Sequence, residues 1–302
     1  MAWAEQEFLR GLGRAWVEQC ESANLAVSDL LFGLLCAAPG TAWPVTLHWE
    51  RTGSGPPVLL IMGLGLSGGA WWRTVPVLAR RLEVITFDNR GVGRSQALVH
   101  AYTTAAMADD AVSVLDAAGV DQVHVYGISL GGMVAQQMAL RHPERVRSLV
   151  LGATHAGGPH ARRPDADVVS FLRRRLWMRH EEAAWTSIEF NYSERCRSEH
   201  PERIAEDVQQ RLAHPFPVQA YRAQLWAAAL HDCYQQLDRI EAPTLVVHGA
   251  CDRMIPVENG RMIAARIPGA RLIELSDTGH LYPTEAPGVD EEISGFVRSH
   301  SG

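Results

Sequence analysis

The chain has 302 residues, 47% of them hydrophobic and 21% charged, with a formal net charge of −6. This length supports one large α/β domain or two small ones with a sizeable core, and the acidic balance gives no electrostatic reason to expect nucleic acid or an anionic membrane as partner. Five scattered cysteines, Cys20, Cys36, Cys196, Cys233 and Cys251, lack C-x-x-C spacing, which excludes a zinc or redox motif and reads as free thiols in a reducing cytoplasm.

Residues 1–43 read as a helical extension. Phe8, Leu9, Leu12 and Trp16 recur at helical spacing, and a denser apolar segment runs from Leu25 to Leu35. Acidic residues (Glu5, Glu7, Glu18, Glu21, Asp29) precede that segment, and it is too short to span a bilayer, so neither a signal peptide nor a membrane anchor is expected. The extension packs on the main domain, or forms a dimer interface or a second lid, leaving monomer and homodimer both open.

After Pro44 the pattern changes to alternating strands and helices. Val45–Glu50 alternates like a half-buried strand, and Val58–Met62 is a continuous apolar run typical of a strand covered on both faces. Further strands are expected at 84–87, 123–126, 146–151, 244–248 and 271–275, with helices at 72–82, 104–118, 130–142, 257–267 and 288–300. Such alternation predicts an α/β fold: a mostly parallel sheet with helices on both faces. Residues 44–153 and 243–302 form this core, and 154–242, helical in pattern without a convincing strand, form an inserted cap. Arg173, Arg174 and Arg175 in the cap read as a solvated helix face.

Open α/β sheets place their active sites at the carboxyl ends of the strands. Three candidates fall there. In Gly127-Ile128-Ser129-Leu130-Gly131 a strand turns into a helix at a glycine-flanked serine, the pattern of a nucleophile elbow. Asp252 follows the strand after the cap, and His280 follows the last strand. A neutral serine needs an imidazole to take its proton, and the imidazole needs a carboxylate to fix its tautomer, so Ser129, His280 and Asp252 are the expected catalytic set. Ser67, in Gly65-Leu66-Ser67-Gly68-Gly69, also matches the serine motif, but no strand and helix abut it. Asp277 is a weaker rival to Asp252, His248 reads as structural, Cys251 as a small apolar residue, and Asp88 as the organiser of a turn.

Gly127-Ile128-Ser129-Leu130-Gly131-Gly132, Phe87-Asp88-Asn89-Arg90-Gly91-Val92-Gly93-Arg94-Ser95, Asp252-Arg253-Met254-Ile255-Pro256 and Thr278-Gly279-His280 resemble the α/β-hydrolase superfamily over about residues 45–300. The chain looks most like serine carboxylesterases of bacterial metabolism, including polyketide-pathway methylesterases. The resemblance implies an oxyanion hole made by the backbone N–H groups of Leu64 and Leu130. The loop departs from many relatives in having Met62 where they carry histidine, which leaves its anchoring open.

The expected activity is hydrolysis of a carboxylic ester of a small to medium apolar metabolite through an acyl-enzyme. Thioester, lactone or C–C bond hydrolysis, a non-hydrolytic reaction and ligand binding remain open on the same fold. No metal or cofactor is expected, since a serine triad needs neither and the glycine loop lacks the Lys-Ser/Thr of a phosphate cradle. The aromatic load of the cap suits a bulky apolar ligand, with Trp177 and Trp226 as candidate walls.

Overall fold

An unbroken β-prone apolar run such as Val58–Ile61 finds cover on both faces only inside a parallel sheet. The computed structural model, which describes residues 46–96, 102–214 and 216–302, places it there. Among these residues β1 (Trp49–Gly53), β2 (Pro57–Ile61), β3 (Glu83–Phe87), β4 (Val123–Ile128), β5 (Val146–Gly152), β6 (Thr244–Gly249) and β7 (Arg271–Leu275) form one sheet in the order β1-β3-β2-β4-β5-β6-β7. β1 runs antiparallel to β3, and the other pairings are parallel.

Helices α1 (Val75–Leu78), α2 (Thr104–Ala118) and α3 (Leu130–Arg141) connect the first strands. Between β5 and β6 come α4 (Ala166–Arg174), α5 (His180–Thr186), α6 (Ile188–Asn191), α7 (Glu194–Glu199), α8 (Pro201–Leu212) and α9 (Val218–Ala229), and α10 (Glu258–Arg266), α11 (Tyr282–Glu285) and α12 (Val289–Ser299) complete the chain. α2 shows why such segments form where they do. The Thr103 hydroxyl accepts from the Ala106 N–H at 3.0 Å, and Gly119 ends the helix at φ 68°.

Successive strand residues feed opposite cores. Val58 and Leu60 join Tyr126, Ile128, Trp71, Ile293 and Val297 on one face. Leu59 and Ile61 join Val125, Met107, Met133 and Met138 on the other. Each such aliphatic side chain is fully buried and contributes roughly 1.5–3 kcal/mol, so the strand ends are a rigid platform for the loops they carry.

Two elements differ from the sequence expectation. The first strand begins at Trp49 rather than Val45. Residues 46–48 are occupied elsewhere: Thr46 O accepts from Gln96 N–H at 3.0 Å, His48 O from Asp88 N–H at 2.9 Å, and His48 N–H donates to Ser95 Oγ at 2.9 Å. The helix expected over 72–82 is instead a 3₁₀ turn at Gly68–Trp71 followed by the single turn α1; Pro76, with no N–H to bond the carbonyl four residues before it, breaks the ladder between the two. The insertion between β5 and β6 is helical among the described residues, apart from one isolated bridge between Gly157 and Asp232. The expected extension over residues 1–43, with Cys20 and Cys36, lies outside the described residues. Among those described, no helix is long and apolar enough to cross a membrane, and no group of three or more His, Cys, Asp or Glu side chains is placed to hold a metal.

Asp290, at the start of α12, is 2% exposed, and its Oδ1 has no hydrogen-bond partner. Burial raises its pKa to about 6. The folded chain therefore holds this proton more tightly than the unfolded chain, and Asp290 withdraws stability as pH rises from about 4 to about 6. His124 and His155, lowered to about 4 by burial, and His231, lowered to about 3, act in the opposite direction, withdrawing stability as pH falls below about 6.5. Asp290→Asn is expected to raise stability at pH 8 by up to ~3 kcal/mol and to leave it nearly unchanged at pH 4, which urea denaturation at the two values measures.

Candidate active site

The turn from β4 into α3 forces Ser129 to φ 56° and ψ −121°, whereas Ser67 is ordinary extended backbone at φ −78° and ψ 169°. The glycines around Ser129 are required by space. A Cβ on Gly127 would collide with the Gly131 carbonyl, and one on Gly131 with the Ile61 carbonyl of the neighbouring strand. Ser129 itself is partly exposed, while Ile128 and Leu130 on either side are buried. Ser67 is buried at 6%. Its carbonyl accepts from Ala70 N–H at 3.0 Å, and it only opens the 3₁₀ turn.

The glycine loop after β2 packs against this turn: a Cβ on Gly63 would stand 3.2 Å from Ser129 Cβ and 3.7 Å from its Oγ. Leu66 N–H donates to Gly63 O at 3.3 Å and Gly65 N–H to Gln224 Oε1 at 2.9 Å, while Leu64 N–H, between them, makes no hydrogen bond within the described residues. Leu130 N–H is the first of α3 and so has no intrahelical acceptor. These are the two amides expected to form an oxyanion hole.

With Met62 in place of histidine, the loop is held by other groups. Asn89 Nδ2 donates to Met62 O at 2.9 Å, and Asp88 Oδ1 accepts from Gly68 N–H at 2.7 Å. The other oxygen of Asp88 accepts from Arg94 N–H at 2.8 Å, as a turn-organising aspartate should. Gln224 of α9 reaches both loops, since its Nε2 also donates to Arg90 O at 3.1 Å. Arg90 is fixed in turn by a buried pair of hydrogen bonds to Asp110, at 2.5 and 2.6 Å.

Asp252 and His280 meet at the ends of β6 and β7. His280 Nδ1 lies 2.8 Å from Asp252 Oδ2, and both residues are 6% exposed. Burial would raise the carboxyl's pKa, but the charge and hydrogen bonds of His280 and His248 outweigh it and hold it down at about 2. An ionised carboxylate only accepts, so Nδ1 carries the proton and Nε2 is left with the lone pair. Asp252 Oδ1 accepts from Ile255 N–H at 2.8 Å. Asp277, the weaker rival, is an exposed turn residue at φ 49°.

Three contributors were not apparent in the sequence. His248, read as structural, lies against Asp252: its Nε2 is 2.8 Å from the Ile255 carbonyl, which fixes the proton there, and 3.3 Å from Asp252 Oδ2. Glu285 accepts from Gly279 N–H at 3.0 Å, and from Ser193 N–H at 3.1 Å and Ser193 Oγ at 2.5 Å, tying the His280 loop to the start of α7. Gln224 is the third. The only sequence signal was for Glu285, a carboxylate six residues beyond Gly279 on a helix with Pro283 in its first turn. Cys251, read as a small apolar residue, is exposed.

A cavity with about 720 Å³ of free space, its mouth included, is lined by neighbours of these groups, while Ser129, Asp252 and His280 themselves do not line it. Ile128 and Leu281, next in sequence to Ser129 and His280, both line it, with Met62, Leu66, Trp71 and Trp72 as further apolar wall. Trp177 does not line it: the side chain is 75% exposed. Trp226 is half-buried and does not line it either. The wall therefore comes largely from the loops and turns of the core, since a tryptophan on a short cap helix can be left facing solvent while the segment's other aromatics pack.

The family model for the α/β-hydrolase fold matches residues 56–287. The chain belongs to the α/β-hydrolase family, and it is a hydrolase by that membership. It is 32% identical over 255 residues to a protein of Azorhizobium caulinodans bearing the name carbamate hydrolase RutD, covering 83% of this chain and 94% of that one. A protein of the same name from Variovorax paradoxus is 34% identical over 264 residues, covering 83% and 96%. Among solved structures, a thermophilic esterase from Thermogutta terrifontis is 30% identical with a TM-score of 0.75, covering 87% of this chain and 97% of that chain. Est816, described as an N-acyl homoserine lactone degrading enzyme, is 31% identical with a TM-score of 0.72, covering 84% and 97%.

Removing Glu285 strands three buried donors. Glu285→Ala is expected to lower unfolding stability by roughly 1–3 kcal/mol and Glu285→Gln by less, as read by urea denaturation.

Proposed function

We propose that the protein is a serine hydrolase that cleaves a carboxylic ester through an acyl-enzyme. Ser129 Oγ attacks the carbonyl carbon and passes its proton to His280 Nε2. The tetrahedral oxyanion accepts from Leu64 and Leu130 N–H, each such donor being worth ~3 kcal/mol in the transition state. Collapse expels the alcohol, which takes the proton from His280. Water then attacks the acyl carbon with His280 as base, and the free acid leaves. Asp252 holds Nδ1–H throughout and stabilises the imidazolium, and its depressed pKa keeps it ionised at any pH at which the imidazole works.

The observation that carries this reading is the 2.8 Å bond from His280 to an ionised Asp252, on a loop whose Leu281 lines the same cavity as Ile128 before the strained serine turn. The apolar wall of Met62, Trp71, Trp72 and Ile128 supports an apolar acyl or alcohol group. A carbamate is the second reading, favoured by the likeness to the proteins named carbamate hydrolase; its carbonyl is open to the same attack.

The test is steady-state turnover of matched p-nitrophenyl esters and carbamates by the wild type and by Ser129→Ala, Asp252→Asn and Ser67→Ala proteins. Ester turnover is expected, falling by about 10⁴-fold or more in Ser129→Ala and about 10⁴-fold in Asp252→Asn, with Ser67→Ala near wild type. Full activity in Ser129→Ala defeats the assignment, and turnover confined to carbamates selects the second reading.

A further inference from the structure

Arg175 is 9% exposed, not solvated as its place in an Arg-Arg-Arg run suggested. Its guanidinium carbon lies 4.4 Å from the ring centroid of Tyr221 and 5.9 Å from that of Phe216. Arg211 lies near the carboxyl end of α8, and burial first, then the charge of Arg175, bring its pKa down to about 9. Nη1 of Arg211 donates to Ser187 Oγ at 3.0 Å, but its Nε is buried without an acceptor among the described residues, and the Arg175 guanidinium has the neutral Tyr221 hydroxyl beside it as a hydrogen-bond partner. Neither guanidinium forms an ion pair among the described residues. A buried cation and a half-buried one therefore lack a neutralising anion among the described residues.

Arg211 is only half-buried as a whole and lines the cavity that also holds Ile128 and Leu281. The other charges on that wall cancel. Asp207, one helical turn before Arg211, accepts from Arg73 Nε at 3.0 Å, from Tyr192 Oη at 2.9 Å and from Thr284 Oγ1 at 2.5 Å. Arg73 also pairs with Glu206 at 2.8 Å. Arg211 is thus the cation on the cavity wall whose counter-charge no described residue supplies.

We propose that this cavity takes a substrate bearing a carboxylate, set apart from the scissile carbonyl by an apolar segment, and that Arg211 binds the carboxylate with Arg175 reinforcing the positive field behind it. The proposal rests on the Ser129 hydrolase reading for its chemistry but not for its binding. The apolar wall takes the spacer, and the reacting carbonyl sits beside Ser129. Arg211 is a specificity residue, not part of the proton relay.

Two measurements separate this proposal from the reading beneath it. In the first, mono-p-nitrophenyl esters of glutarate and adipate are compared with their neutral methyl-capped counterparts. Wild type is expected to favour the acids by tenfold or more in kcat/KM. Arg211→Met is expected to lose roughly 10- to 100-fold on the acids, mainly through KM, and to stay within about threefold on the neutral esters. In the second, glutarate monomethyl ester is titrated calorimetrically into Ser129→Ala protein with and without Arg211→Met, and binding is expected only with Arg211 present. The thermal midpoint of Arg211→Met serves as the folding control and is expected to be unchanged or higher, because an uncompensated buried charge is removed. Equal losses on acid and neutral esters, a wild-type preference for the neutral esters, or binding that ignores Arg211 overturns the proposal. Binding that requires Arg211 without any ester turnover keeps the anion site and removes the hydrolase reading.

Discussion

At Ser129 the chain holds a backbone conformation that a side chain-bearing residue rarely adopts, at a cost on the order of 1–3 kcal/mol. It persists because both sides of the turn are fixed. β4 is buried along its whole length, and α3 opens with buried residues packed against β2 and β5. The Ser129 N–H donates to Gly152 O at 2.9 Å, and its carbonyl accepts from Thr154 Oγ1 at 2.8 Å, so β5 grips the strained residue from the side. The requirement for glycine at 127 and 131, and the close approach of Gly63, follow from the same geometry.

A second constraint is that the loops around the turn are tied to distant segments. Gln224 links α9 to the glycine loop and to Arg90, and Glu285 links the His280 loop to α7. The helical insertion is therefore hydrogen-bonded to the loop beside Ser129 and to the loop that carries His280. Asp252 adds the electrostatic half. Burial alone would neutralise it, and it stays ionised because the charge and hydrogen bonds of His280 and His248 outweigh that cost.

The strands and Ser129 were legible because their signals are local. Val58–Met62 is apolar at every position, and G-x-S-x-G needs only five neighbours. Asp252 and His280 were legible because each follows a strand whose end the topology rules place on one rim. What stayed hidden depends on partners far apart in the chain: Gly65 meets Gln224 across 159 positions, and Arg90 meets Gln224 across 134. Single-residue character also misled where context decides burial. Trp177 is apolar yet faces solvent, while Arg175, in a run of three arginines, is buried against Tyr221. The first strand was placed four residues early because alternation does not say what a segment bonds to, and residues 46–48 bond to the Asp88–Gln96 loop instead of to β3.

The cavity carries two kinds of information, an apolar wall from the core loops and a cation from α8, and both bear on the substrate only if the nucleophile is where the turn places it. The most direct measurement is peptide mapping of the folded protein after reaction with a fluorophosphonate, which requires an activated serine. The account predicts one adduct, on the peptide containing Ser129, abolished in the Ser129→Ala protein. An adduct on Ser67, or none on any serine of folded protein, contradicts it.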